Sequence, residues 1–375
     1  MRIEIDKDQL MEAIGIADSI IPSRSVNAIL SNCLFNVIKD EIEIISTDNE
    51  IGIKTRVEAA ADGEVSFTAD GKRFYGILKE LPRGVVFIDV GNSSSLDITS
   101  KAIKGHYKLI GTSADDYPDL PPFYNQEEVE IKQSELKSLV KKVMFAAAAD
   151  NLKPVYNGIY VVPDSLKKIT FVATDSRRLA IITKELDVPV EIEEGIIIPL
   201  KTIHELFRLL TTDGTCSFSI TKNQCFFKIN DTEMMSRVID GQFPNYKQVI
   251  PKDYQIVATV QTDRFLNSLR RAMIFTREPS NRVILHFSKE KLIIEARTPD
   301  LGEAEEEILI ESNSKENISV GINAQFLLEA LREMDSNTVA VGITGQMSPL
   351  TITPDNNREY ISVIMPIKIK ASDED

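Results

Sequence analysis

Cysteine is scarce in this chain. There are three in 375 residues, Cys33, Cys216 and Cys225, an odd number set in alternating apolar runs with no CxxC pair and no Cys/His cluster. That pattern excludes a disulfide framework and a structural zinc site, and predicts reduced cysteines in a core. Long hydrophobic runs are also missing. No stretch approaches the ~18 apolar residues a bilayer-spanning helix needs, and the opening MRIEIDKDQL has no apolar signal core. The expectation is a soluble, cytoplasmic protein with no membrane partner. Histidine is as rare as cysteine: His106, His204 and His286 fall at unrelated positions, and there is no HExxH, GxSxG, phosphate loop or GxGxxG in a proper context. Hydrolytic, metal-dependent and dinucleotide-binding enzymes are therefore disfavoured, and we expect no catalytic residue, no metal and no cofactor. Basic charge is not in excess either. With 43 Lys and Arg against 57 Asp and Glu, the net charge is −14. Bulk attraction to nucleic acid is excluded by that balance, so any DNA-facing surface must concentrate its cations locally.

What the chain does have is an internal repeat of about 125 residues. Runs from Asn32 (NCLFNVIKDEIEIISTDNEIGI), Asn157 (NGIYVVPDSLKKITFVATDSRRLAI) and Asn281 (NRVILHFSKEKLIIEARTPDLGEA) share one pattern, with starts 125 and 124 residues apart. Each alternates apolar and polar residues, turns through a polar stretch and alternates again, which is a hairpin signature. A helix-period segment precedes each hairpin, from Asp6, Gln133 and Thr262, with Asp6, Ser134 and Thr262 as the expected N-caps. A second follows each hairpin, from Asp70, Leu200 and Asn323. The proline-rich connectors DDYPDLPPFYN and DGQFPNYKQVIPKD interrupt the periodicity. They predict three similar α+β domains, at 1–124, 125–252 and 253–375. The Thr47-Asp48 and Thr174-Asp175 pairs could suggest acid–base carboxylates. Their recurrence at equivalent points of the repeat predicts structural turns instead.

Charge is segregated by element. The six helix-period segments together carry +2, which leaves −16 on the rest of the chain. Helices that collect Lys and Arg would make a basic surface on an acidic protein.

With the repeat in place, the chain resembles the bacterial DNA polymerase III beta subunit, the sliding clamp, from Met1 to Ile369. The marks are PSRSVNAIL from Pro22, FVATDSRRLAI around Asp175, DGQFPNYKQVIP around Pro244 and the C-terminal SVIMPIKI. The resemblance implies three clamp domains, each with two helices and antiparallel sheets, and a head-to-tail homodimer closed into a ring, so that one chain is half the ring. The implied function is to encircle double-stranded DNA without sequence preference. It also implies tethering of the DNA polymerase III alpha subunit, the clamp loader, other polymerases and repair proteins through their short linear motifs.

The same resemblance implies where each surface lies. DNA-facing positions fall on Arg24, Arg73, Lys137, Lys141, Lys142, Asn151, Lys153, Lys201, Arg208, Arg270 and Arg271; the first helix departs from this by being acidic. A partner-peptide pocket maps to Tyr156, Thr174, Ser176, Arg177, Arg178, Leu179, Pro244, Val249, Pro349, Val363, Ile364, Met365, Pro366 and Ile367. There Ser176 and Arg177 replace the common glycine and histidine, and Gln248 a common basic residue. Tyr107 and Leu109 on one side, with Ile274 and Phe275 on the other, are the expected apolar contacts of the dimer seam.

Overall fold

A computed structural model describes residues 1–22, 27–91, 95–121, 128–149, 153–187, 194–314 and 316–369. The chain divides into two compact units, 1–137 with 204–238, and 138–203 with 239–375. Neither unit coincides with one repeat, because strands pair from one repeat to the next.

The first unit holds two antiparallel sheets. The larger runs, in spatial order, Val129–Lys132, Thr215–Ile220, Gln224–Ile229, Thr232–Arg237, Ile51–Glu58, Glu41–Thr47, Asn32–Ile38 and Val65–Asp70. Its continuity rests on the register Ser236↔Ile51 through Thr232↔Thr55, which joins the second repeat to the first. The smaller sheet runs Ala60–Ala61, Arg2–Asp6, Val85–Val90, Ser95–Ser100 and His106–Ile110. Helices α1 (Lys7–Asp18) and α2 (Gly71–Glu80) are built over a core that includes Leu10, Ile14, Phe35, Phe67, Phe74 and Ile98. The Phe35 and Phe67 rings stack at 5.0 Å.

The second unit repeats the scheme. Its nine-stranded sheet runs Ile196–Pro199, Gly158–Ser165, Lys168–Thr174, Arg178–Glu185, Tyr360–Ile364, Leu350–Pro354, Thr338–Ile343, Ile256–Gln261 and Glu311–Ser312. Here Arg178↔Ile364 to Ile182↔Tyr360 joins the second repeat to the third. A four-stranded sheet runs Gly302–Leu309, Lys291–Thr298, Arg282–Phe287 and Ile318–Asn323. Helices α5 (Thr262–Ala272) and α6 (Ala324–Arg332) lie in this unit, while α3 (Gln133–Met144) and α4 (Leu200–Leu209) straddle the division of the chain.

All six expected helices are present at their repeat positions, with two corrections of detail. A short strand opens each repeat ahead of its first helix, at Arg2–Asp6, Val129–Lys132 and Ile256–Gln261. These strands are four to six residues long, too short for their alternation to stand out in the sequence. Asp6 caps α1 as expected, accepting from the Asp8 and Gln9 amides, but Ser134 and Thr262 lie inside their helices. The N-cap of α5 is Gln261, and the Thr262 hydroxyl is buried with no hydrogen-bond partner among the described residues. The three cysteines are free and buried, as predicted. Burial pushes the Cys216 and Cys225 thiols up to about 12 and Cys33 higher still, so none is poised as a nucleophile.

Candidate functional site

Two turns of the same construction stand at matched points of the repeat. In one, the Thr174 hydroxyl donates to the Arg178 carbonyl (2.6 Å) and accepts from the Ser176 amide (3.1 Å), while Asp175 Oδ1 accepts from the Arg177 and Arg178 amides at 2.8 and 3.0 Å. In the other, Thr47 bonds the Ile51 carbonyl (2.8 Å) and the Asn49 amide (3.0 Å), and Asp48 Oδ1 takes the Glu50 and Ile51 amides at 2.9 and 2.7 Å. The carboxylates are consumed by backbone, so the Thr-Asp pairs are turns, as their recurrence implied. The middle residue is left-handed in both: Ser176 has φ 75° and Asn49 φ 74°. Asparagine tolerates that region and serine does so at a cost. Ser176→Gly should therefore stabilise the protein by about 0.5–1 kcal/mol, read as a higher denaturation midpoint; an unchanged or lower midpoint would refute a strained turn.

The Thr174 turn forms one wall of a cavity of about 160 Å³ in the second unit. Its lining includes Tyr156, Thr174, Ser176, Arg178, Leu179, Pro244, Val249, Val363 and Met365, all of them expected, together with Asn245 and Tyr246, which were not. Strand alternation explains most of the selection. Leu179 pairs with Val363 and both point to the cavity side, whereas fully buried Ile364 points the other way. Below the cavity lies an apolar cluster with Val172, Ile181 and Phe243, and the Tyr160 ring stacks on Phe243 at 4.7 Å. Tyr246 stands edge-on to both rings at 6.4 Å, and burial pushes its hydroxyl up to about 12. Met365 remains 39% exposed at the rim.

Five expected residues, Arg177, Pro349, Ile364, Pro366 and Ile367, do not line the cavity. Arg177 is exposed and contributes its carbonyl to the Met365 amide (2.8 Å), and Ile367 is tied through its amide to Gly321 (2.7 Å). Arg178 also needs a correction as a free anchor. Its guanidinium bonds Asp175 Oδ2 (3.0 Å) and Glu329, lies 4.5 Å over the Phe326 ring and 5.5 Å from that of Phe145, and is 11% exposed. The group is already paired with two carboxylates. Tyr246 was legible only as part of a proline-flanked connector, a signal that says turn rather than pocket.

Family models of the DNA polymerase III beta subunit match almost the whole chain: its N-terminal domain over residues 1–121, its central domain over 130–245 and its C-terminal domain over 247–368. The chain belongs to the DNA polymerase III beta subunit family. It is 28% identical to the beta sliding clamp of Bacillus subtilis, over 98% of this chain and 100% of that protein. The crystal structure of the Bacillus subtilis DNA polymerase sliding clamp superimposes with a TM-score of 0.95, at 27% identity, 99% of this chain and 100% of that one. The Thermotoga maritima beta subunit gives 0.90 at 27% identity, covering 98% and 100%. The fold is thus three clamp domains, and the function is that of a sliding clamp, a processivity factor for DNA polymerase.

Of the expected seam residues, Tyr107 and Leu109 lie on an edge strand and Ile274 and Phe275 on the turn Met273–Phe275 that follows α5, beside a second edge strand. In His106–Ile110 the alternation buries Leu109 and half-buries Tyr107 against the first unit's core, and turns His106, Lys108 and Ile110 outward. Ile110 is 83% exposed. The other edge, Gly302–Leu309, exposes Glu303, Glu305, Glu307 and Leu309. Beside it Ile274 is 71% exposed, while half-buried Phe275 packs its ring 3.5 Å from where a Cβ on Gly302 would stand. Leu109 and Phe275 are therefore held within their own units. The outward apolar groups at these two places are Ile110, Ile274 and Leu309.

The clamp's cations differ in exposure and in how tightly they are held. Arg24 and Asn151 lie outside the described residues. Lys137 donates to the Leu210 carbonyl (2.6 Å) at the end of α4, with Phe207 5.0 Å away. Lys142 is 12% exposed, bonded to Asp335 (3.0 Å) and set over the Tyr360 ring at 5.1 Å. Both were expected at the DNA, and in the single chain both are bonded to the protein's own groups. Lys141 (to Glu333, 3.1 Å), Arg208 (to Glu205, 3.0 Å) and Arg271 (to Glu306) are paired but partly exposed. The Arg271 bond holds Glu306 below the usual carboxylate range. Arg73 (3.6 Å from Asp70), Lys153 (5.4 Å from the Tyr156 ring centre), Lys201 and Arg270 (donating to Asn267, 3.3 Å) keep exposed side chains, as does Arg264 on α5. The exposed part of α1 is acidic at Glu12, as its composition implied. Among the described residues no His, Cys, Asp and Glu group could hold a metal, and no helix is long and apolar enough to cross a membrane.

Proposed function

We propose that the clamp acts as a head-to-tail dimeric ring, built from domains 1–124, 125–252 and 253–375, that encircles duplex DNA in the cytoplasm and performs no catalysis of its own. The cavity flanked by Leu179, Val363 and Met365 then receives short motifs from the DNA polymerase III alpha subunit, the clamp loader, other polymerases and repair proteins. The observation that carries this reading is that a solvent-open apolar cavity sits beside the last strand, with an exposed, conformationally adaptable methionine at its rim. Because Arg178 is already committed to Asp175 and Glu329, the peptide's polar end is held by backbone and by the exposed Asn245 rather than by that guanidinium.

Retention of such a ring is topological, so DNA contacts need only be weak and indifferent to sequence. Residence on closed circular DNA after loading, lost when the circle is linearised, is the decisive test; equal retention on both forms would overturn the ring. Within that assay the doubly substituted Arg264→Glu, Arg270→Glu protein should leave circles about tenfold faster, with a shallower salt dependence, since fewer phosphates are neutralised. Residence equal to that of the parent would remove α5 from the DNA-facing surface. Met365→Ala should weaken a polymerase-derived motif peptide by about 1–2 kcal/mol, measured by titration calorimetry, with dimerisation intact. Unchanged affinity would move the pocket elsewhere.

A further inference from the structure

The repeat places a second cavity at the point of the first unit that matches the Met365 cavity. Gly52 follows the Thr47 turn as Leu179 follows the Thr174 turn, and Gly52 pairs with Met235 as Leu179 pairs with Val363. Tyr117-Pro118 in the first connector corresponds to Phe243-Pro244 in the second. At this place the first unit has a cavity of about 230 Å³ floored by Leu34, Ile45, Gly52 and Met235 and edged by Pro118 and Leu120.

Two differences from the other cavity define what it would take. The first is that the space a side chain at position 52 would occupy is filled by the chain's own leucine: Leu120 Cδ2 stands 2.6 Å from where a Cβ on Gly52 would be. An extended, proline-flanked segment that lays a leucine into this hole shows the shape it accepts. Leu120 is itself only half-buried. The second is charge. Arg178, paired with Asp175 and Glu329, is the one charged residue that lines the Met365 cavity, whereas here Glu43 and Glu233 share Lys54 and Arg56 (Lys54 to Glu233, 2.6 Å; Arg56 to Glu43, 2.9 Å) and Asp119 stands exposed at the rim. Asp119 is the acid the rim offers to a partner. The Asn36 amide also lines this cavity and has no hydrogen-bond partner among the described residues, leaving a donor and an acceptor for a peptide backbone.

We propose that this cavity is a second peptide-docking site, which takes a short extended segment carrying a leucine-sized side chain beside a lysine or arginine, and for which Leu120 is a tethered competitor. The inference rests on the reading of the Met365 cavity as a peptide pocket only through the repeat. An exposed carboxylate at this rim, with none lining the Met365 cavity, would let the sites select different partners.

The test is fluorescence anisotropy of a labelled acetyl-GKLLPKG-amide peptide with the whole protein. We expect saturable binding that Leu120→Ala tightens at least fivefold, that Asn36→Ala and Asp119→Asn each weaken at least threefold, and that Met365→Ala leaves unchanged. The acidic analogue acetyl-GELLPEG-amide should bind at least tenfold more weakly. Thermal melts confirm that each variant is folded. No saturable binding to the parent or to Leu120→Ala, loss of binding in Met365→Ala, or equal binding of the acidic analogue would each overturn the proposal. The pocket reading fails separately, if Met365→Ala leaves a polymerase-derived peptide bound as tightly as before.

Discussion

Replacing Arg178 by alanine should destabilise the protein by about 3–5 kcal/mol, the range seen when one partner of a buried ion pair is removed. The guanidinium is 11% exposed, donates through Nε to Asp175 (3.0 Å), pairs with Glu329, and lies over Phe326 and near Phe145. Alanine deletes the cation and leaves two carboxylates in partly buried sites, at 17% and 25% exposure, without their counter-charge. It also removes the plane that fills the space between two rings. Lysine should recover at most half of the loss, because a point charge cannot serve two carboxylates and two ring faces with one planar fork. Chemical denaturation reads the effect. A loss under about 1 kcal/mol would show the network to be a solvated pair of little consequence, and full recovery by Arg178→Lys would show that charge alone matters.

The second large effect is expected at the seam. Ile274→Glu and Ile110→Glu, made separately, should each weaken the dimer at least a hundredfold, about 3 kcal/mol, because each would bury an unpaired carboxylate in an interface. Both positions are exposed in the single chain, at 71% and 83%, so the variants should stay folded. This is a cleaner test than Phe275, whose ring is needed by its own unit. The edges are also complementary in charge, with Lys108 on one and Glu303, Glu305 and Glu307 on the other. Accordingly Lys108→Glu should weaken association in a salt-dependent way, and Glu305→Lys in the same chain should restore part of it. Sedimentation velocity would detect monomers; intact dimers at micromolar concentration in both isoleucine variants would place the seam on other strands.

Much of this architecture could be read from the residues alone. The threefold spacing of the hairpins, the six helix-period segments and the buried cysteines depend on local alternation, which a half-buried strand or an amphipathic helix writes directly into the chain. The Thr-Asp turns were legible for the same reason: their hydrogen bonds are all made within five residues. Nine of the cavity-lining residues, on four short segments, were reachable only through the family resemblance, whereas Asn245 and Tyr246 gave no signal beyond turn propensity.

The sequence by itself determined the domain repeat, the helix positions and the family, since each is carried by spacing and by contiguous motifs. Only the tertiary structure decided which charged and apolar groups are free. Lys137, Lys142 and Arg178 read as available cations until the fold supplied a carbonyl 73 residues away, an aspartate 193 away and a glutamate 151 away. Leu109 and Ile110 are adjacent and equally apolar, yet the pleat sends one into the core and the other outward. Partners that distant in sequence leave no local pattern, because only the folded chain brings them within the few ångströms over which hydrogen bonds and packing act.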